Sequence, residues 1–224
     1  MLKQVAVPRW IFGEEKDRNK LSLHMFVDAS QVAYAAALFV RIETLSGSTV
    51  HLVQSKSRVA PAEKTTIPRM ELLAATLGAR LMNSFLKAST LEFQEKIFWS
   101  DSSTVLWWLR KNGQWAKFVW NRVEEIRKTT DIKSWRHVPG IMNPADLPSR
   151  GCSPDQLVQT RWWEGPLWLR NSRNQWPIEN FEVDQELVKS ELVKSSQDID
   201  LMDIGEYQVT LSNENVTKEL SDEP

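Results

Sequence analysis

The stretch that constrains this chain most is Leu23-His24-Met25-Phe26-Val27-Asp28-Ala29-Ser30. A short apolar run closes on a carboxylate and then on small residues, the pattern of a buried strand with a polar stop. An acid at the end of a core strand is costly to bury unless something pairs with it. The pattern recurs in Ile97-Phe98-Trp99-Ser100-Asp101. Both strands therefore predict a fold that delivers an ionic partner to their carboxyl ends.

Taken in order, residues 1–20 form a lead-in segment, with Pro8-Arg9-Trp10-Ile11-Phe12 as a docking patch. Strands are predicted at about 21–28, 31–43 and 49–55, joined by short turns as an antiparallel meander. Residues 56–69 read as a basic loop. Met70, Leu73, Ala74, Leu77, Gly78, Leu81 and Phe85 then follow helical spacing, with Pro68 near the first turn. Glu71 is placed in that first turn. A fourth strand is predicted at 93–100, helices at about 103–111 and 115–128, and a fifth strand at 131–138. Asn143-Pro144-Ala145-Asp146 has the form of a helix start, with Asn143 as cap. Runs of strands followed by α/β alternation predict an α/β fold, a mixed five-stranded sheet flanked by helices. In such sheets the site lies at the carboxyl ends of the parallel strands.

Charge divides the chain. Residues 1–176 carry a net +9 and residues 177–224 a net −10. A basic body with an acidic tail suits an anionic partner, nucleic acid above all, although a plain solvated surface has the same composition. All 11 Trp fall between Trp10 and Trp176, so the ordered part is expected to end there. The block Trp162-Trp163-Glu164-Gly165-Pro166-Leu167-Trp168-Leu169 reads as a Trp-rich extension, residues 151–176, packed on the body. Residues 177–224 read as an acidic linker or disordered tail, with a marginal helix open over 182–195. The single Cys152 excludes an internal disulfide. The longest apolar run, residues 32–40, is too short to span a bilayer. A soluble, intracellular and cytoplasmic protein is expected, with no membrane partner; a virus-like particle or the nucleus are the alternative locations.

The candidate site comprises Asp28, Glu71, Asp101 and Asp146. Hard divalent cations take oxygen ligands. Two of them about 3.5–4 Å apart can activate a water and stabilise the leaving oxygen of a phosphodiester. Each acid also has an ordinary reading: Asp28 and Asp101 as turn or cap residues, Glu71 and Asp146 as acids that favour a helix N-terminus.

The chain resembles the ribonuclease H domain of Pao/BEL-type retrotransposon polyproteins. The resemblance is carried by Phe26-Val27-Asp28-Ala29-Ser30, Ser55-Lys56-Ser57-Arg58-Val59-Ala60-Pro61 and Ile67-Pro68-Arg69-Met70-Glu71-Leu72. It continues through Trp99-Ser100-Asp101-Ser102, Phe118-Val119-Trp120-Asn121-Arg122-Val123 and Asn143-Pro144-Ala145-Asp146-Leu147-Pro148-Ser149-Arg150-Gly151. It covers about residues 5–176, and implies an RNase H-like domain over 21–150. It further implies hydrolysis of the RNA strand of an RNA–DNA hybrid with two Mg²⁺ or Mn²⁺ ions. Asp28, Glu71, Asp101 and Asp146 match the family's four metal-binding acids. Reverse transcriptase and integrase portions of the same polyprotein are the implied partners. The family's loop His is missing from Gly140-Ile141-Met142, which leaves His137 as a satisfied structural histidine or a distant helper. The basic protrusion between two helices is missing too, since Asn112-Gly113-Gln114 joins them directly.

Grip on a hybrid would then fall to Ser30, Lys56, Arg58, Arg69, Ser102, Ser103 and Trp107. Competing classes are a catalytically inactive hybrid-binding or scaffold remnant and an aspartic protease. The latter is disfavoured because Asp28-Ala29-Ser30 lacks the Gly of the required turn and has no second copy. An integrase is disfavoured by the absence of a third acid on a late helix.

Overall fold

The computed structural model describes residue 11 and residues 20–63, 65–179 and 182–192. The expected docking of Pro8, Arg9, Trp10 and Phe12, and the fate of residues 193–224, lie outside the described residues.

Strands β1 (Lys20–Ala29), β2 (Ala33–Thr44), β3 (Gly47–Val59), β4 (Glu95–Ser100) and β5 (Trp135–His137) form one mixed sheet in the order β3-β2-β1-β4-β5. The meander β1–β2–β3 is antiparallel; β4 and β5 add in parallel beside β1. The helices are α1 (Ile67–Ala88), α2 (Ser103–Arg110), α3 (Lys117–Thr129), α4 (Asp146–Arg150), α5 (Pro154–Thr160) and α6 (Gln185–Lys189). This is the α/β architecture expected from the sequence, and it is RNase H-like.

Strand alternation splits the core in two. Leu23, Met25 and Val27 of β1 face α1, α2 and α3, while Phe26 joins Phe39, Ile97 and Trp99 on the opposite face. Helix α1 lies close to β1 because Ala74, Ala75, Gly78 and Ala79 are small. A Cβ added at Gly78 would stand 2.5 Å from Val27 Cγ1 and 3.1 Å from Met25 Cγ. Val27 is β-branched and stiff, so the helix must move instead. Gly78→Ala should therefore lower stability by about 1–2 kcal/mol, despite a helix-propensity gain of up to about 1 kcal/mol. A shift in the urea midpoint at unchanged slope checks this.

The second face is covered by the Trp-rich segment, built from short 3-10 turns at Trp162–Glu164, Leu167–Arg170 and Arg173–Gln175. Trp162 Nε1 donates to the Pro144 carbonyl at 2.8 Å, and the Trp168 ring meets Trp99 edge-on at 5.1 Å. Arg41, 3% exposed, points from β2 into this layer and donates to the Leu169 carbonyl at 2.8 Å.

Several predicted elements change in form. The outer end of β3 replaces the first part of the expected basic loop, because backbone pairing to β2 continues to Val59 while the side chains stay exposed. β5 is shorter than expected; Asp131 caps a 3-10 turn at Ile132–Ser134 before it. Asn143 does not cap α4. Its Oδ1 accepts from the Ala145 amide at 3.1 Å in a tight turn, and the helix starts at Asp146.

Past residue 177 the chain is not only a linker. Asp184 caps α6, Val188 is buried against the helical face, and Leu192 bridges to Trp115. Glu191, 5% exposed, receives both Nε and Nη2 of Arg69 at 2.6 and 2.8 Å. The helix left open over 182–195 is thus one short turn-and-a-half at residues 185–189.

Candidate acidic site

Parallel pairing of β1 with β4 places Val27 opposite Ser100, so Asp28 and Asp101 emerge together at the carboxyl ends of adjacent strands. Glu71 reaches the same end from α1. It is the fifth residue of that helix, which starts at Ile67, and so lies just past the first turn rather than in it. Asp146 opens α4 and stands at the rim.

The loops around these acids are tied to them. Asn143 Nδ2 donates to the Val27 carbonyl at 2.9 Å and to Asp101 Oδ1 at 3.3 Å, bridging the ends of β1 and β4. A Cβ on Gly140 would stand 3.1 Å from Asp101 Oδ2, so a small residue lets the 3-10 turn Gly140–Met142 pass over the carboxyl. Ser102 caps α2, accepting from the Val105 amide at 3.2 Å, and donates its hydroxyl to Glu71 Oε2. Ser149 donates to Asp28 Oδ2, and Arg150 pairs with Asp146.

Electrostatics show that the acids sense one another. Burial, then the charges of Asp28 and Glu71, pushes Asp101 up to about 7. Burial also pushes Glu71 up to about 7; the Ser102 hydroxyl works against this, and Asp28 adds to it. Asp28, 5% exposed, is raised by burial, lowered by Ser149 and raised again by Asp146. Negative charge here is thus under-compensated. Among the described residues, however, no three His, Cys, Asp or Glu side chains stand as a formed metal-ligand set. The carboxyl oxygens turn instead to Ser149, Ser102 and Arg150.

His137 is held at the Asp101 backbone, and burial keeps its imidazole below the ordinary value.

The expected nucleic-acid residues scatter. Ser30 serves the fold: its hydroxyl donates to the Ser149 carbonyl at 2.7 Å and accepts the Val32 and Ala33 amides, both at 3.2 Å. Ser102 is buried as cap and Glu71 partner. Ser103 is half-buried as the first residue of α2, and half-buried Trp107 stacks under Lys111. Arg69 is engaged by Glu191 and by the Phe118 ring, 5.1 Å away. Lys56 and Arg58 stand exposed on β3. Sequence reasoning missed Asn143, Ser149 and Gly140. Their signal was local, in the Gly140-to-Arg150 stretch beside Asp146, but their partners lie on β1 and β4.

Residues 1–102 match the family described as the Pao retrotransposon-like RNaseH-like domain. The match takes in Asp28, Glu71 and Asp101 and stops short of Asp146. No curated protein matches the chain. Among solved structures, RNase H1 of the halophilic archaeon Halobacterium salinarum is 15% identical, covering 58% of this chain and 94% of its own, with a TM-score of 0.37. The N-terminal RNase H domain of a Mycobacterium tuberculosis protein is 13% identical, covering 63% and 99%, with a TM-score of 0.39. LC11-RNase H1, solved with an RNA/DNA hybrid, is 18% identical, covering 58% and 93%, with a TM-score of 0.35. Over residues 1–102, this chain is similar to a Pao retrotransposon-like RNaseH-like domain.

Proposed function

We propose that the chain is a metal-dependent endonuclease that hydrolyses the RNA strand of RNA–DNA hybrids. We take the module to be residues 21–150, flanked by the lead-in 1–20, the Trp-rich extension 151–176 and the acidic segment 177–224. Its setting would be a retrotransposon polyprotein with reverse transcriptase and integrase portions. No helix among the described residues is long and apolar enough to cross a membrane.

The observation that carries the reading is the convergence of one buried and two half-buried carboxyls from β1, α1 and the end of β4, each raised by desolvation and by a neighbouring acid. A donor set of carboxylate oxygens with uncompensated charge fits Mg²⁺ or Mn²⁺. Asp28, Glu71, Asp101 and Asp146 would hold two such ions, which supply an activated water and stabilise the leaving oxygen. The chain's own contribution is placement. Asn143 fixes the end of β1 relative to Asp101. Ser149 and Ser102 hold the Asp28 and Glu71 carboxyls in place at that end of the sheet. Arg150 keeps Asp146 at the rim.

A second reading, an inactive hybrid-binding remnant, is favoured by one observation: the acids are closed onto side-chain partners rather than gathered as a ligand set. Incubation of the purified chain with a labelled RNA–DNA hybrid separates the two. Cleavage of the RNA strand is expected with Mg²⁺ or Mn²⁺ and none with EDTA. Hybrid binding without cleavage in either metal would favour the remnant.

A further inference from the structure

A cleft of about 460 Å³ separates β3 from α1 and α3, outside the acidic site. Its origin lies in the register. The pairing of β2 with β3 shifts between Leu38 and Phe39, so Leu38 faces Gln54 while Phe39 faces Leu52. The extra residue, Val53, is a bulge, and a bulge re-aims the side chains beyond it. Leu52 packs on the Trp-rich face. Past the bulge, Lys56 pairs with Ala36, which faces the helices, and Arg58 pairs with Tyr34. Gln54, Lys56 and Arg58 therefore line the helix-side cleft, facing Arg80 of α1 and Asn121 and Arg122 of α3.

The charges are one-sided. Arg80 is matched by Glu125 at 2.5 and 2.7 Å. Among the described residues, Lys56, Arg58 and Arg122 have no carboxylate partner within ion-pair distance. The Arg122 guanidinium is instead fixed, 3.5 Å over the Phe118 ring and donating to the Phe118 carbonyl at 2.8 Å. Lys56 and Arg58 repeat along one strand face about 7 Å apart. That is a linear row suited to successive phosphates, not a cup for a single small anion. The row is level with the acids, since Asp28 pairs with Ala35 and Ala35 with Ser57, two strands or about 10 Å across. Arg80 lies nine residues beyond Glu71 on α1, about 13 Å along the helix.

We propose that this cleft is a second contact for the nucleic acid, gripping one phosphodiester backbone about 10–13 Å from the acids. The proposal rests on the nucleic-acid reading above, but its test does not depend on cleavage. Lys56 and Arg58 were expected from sequence to meet phosphate; the cleft adds Arg122 and gives the three a common path.

The test is fluorescence anisotropy of a labelled RNA–DNA hybrid with the full chain in EDTA, repeated over a salt series. Arg122→Gln should weaken binding about threefold to tenfold and flatten the log–log salt slope by about 0.7–0.9, the loss of one phosphate contact. Arg122→Lys should restore the slope. Should Arg122→Gln fail to fold, Lys56→Gln, on an exposed edge strand, gives the same readout. An unchanged slope in the folded variants overturns the proposal, as does a wild-type chain that does not bind hybrid. If the slope falls as expected but the wild-type chain cuts nothing with metal, the cleft stands and the nuclease reading falls.

Discussion

Asp28→Asn and Asp101→Asn should each abolish metal-dependent cleavage of hybrid RNA, by about a thousandfold or more, equivalent to about 4 kcal/mol in the barrier. Both residues end core strands and lie side by side across a parallel pair. Asparagine keeps the volume and a hydrogen-bonding oxygen while removing the charge a cation needs. Asp146→Asn should cost less, because its carboxylate is at the exposed rim and shared with Arg150. The loss will not come from unfolding. With one charge removed, the acids that remain are relieved of repulsion, so the metal-free variants should melt at or above the wild-type temperature. Retained activity with equal stability would mean that these carboxyls do not carry the reaction.

The second large effect is on stability against pH. Unfolded, Glu71 and Asp101 ionise near 4. Folded and without metal, each stays protonated up to about 7. Between those values the folded chain binds more protons than the unfolded one, so the contribution of these groups is full below about 4 and is lost as pH rises through 7. The metal-free chain should therefore lose about 2–3 kcal/mol between pH 5 and pH 8 for each of these two groups. A divalent cation should reverse the trend, restoring about 2.7 kcal/mol at a hundred times its dissociation constant. Urea melts at both pH values, with EDTA and with Mn²⁺, measure it. A flat metal-free profile would show that the acids are already compensated.

What could be read from sequence was what local pattern controls. β1 and its terminal Asp28 followed from an apolar run with a polar stop, and α1 from 3.6-residue spacing. What could not be read depends on contacts distant in sequence. Val53 is one apolar residue in an apolar stretch, and nothing local marks it as the bulge that turns Lys56 and Arg58 toward the helices. Asn143 had the form of a helix cap, but its amide is drawn to the Val27 carbonyl, 116 residues away. The acidic segment reads as a linker or disordered tail, with a marginal helix open over 182–195, because its composition is poor in large apolar residues. One buried valine, Val188, and one ion pair to Arg69 were enough to dock its first part.

The claim beneath all of this is that folding gathers the acids into one place for cations to occupy. Isothermal titration of the metal-free chain with Mn²⁺ addresses it without reference to any substrate. The account predicts heat from about two ions per chain in the wild type, and loss of that signal in Asp101→Asn. Absence of binding at millimolar Mn²⁺ in a folded wild-type chain would contradict it.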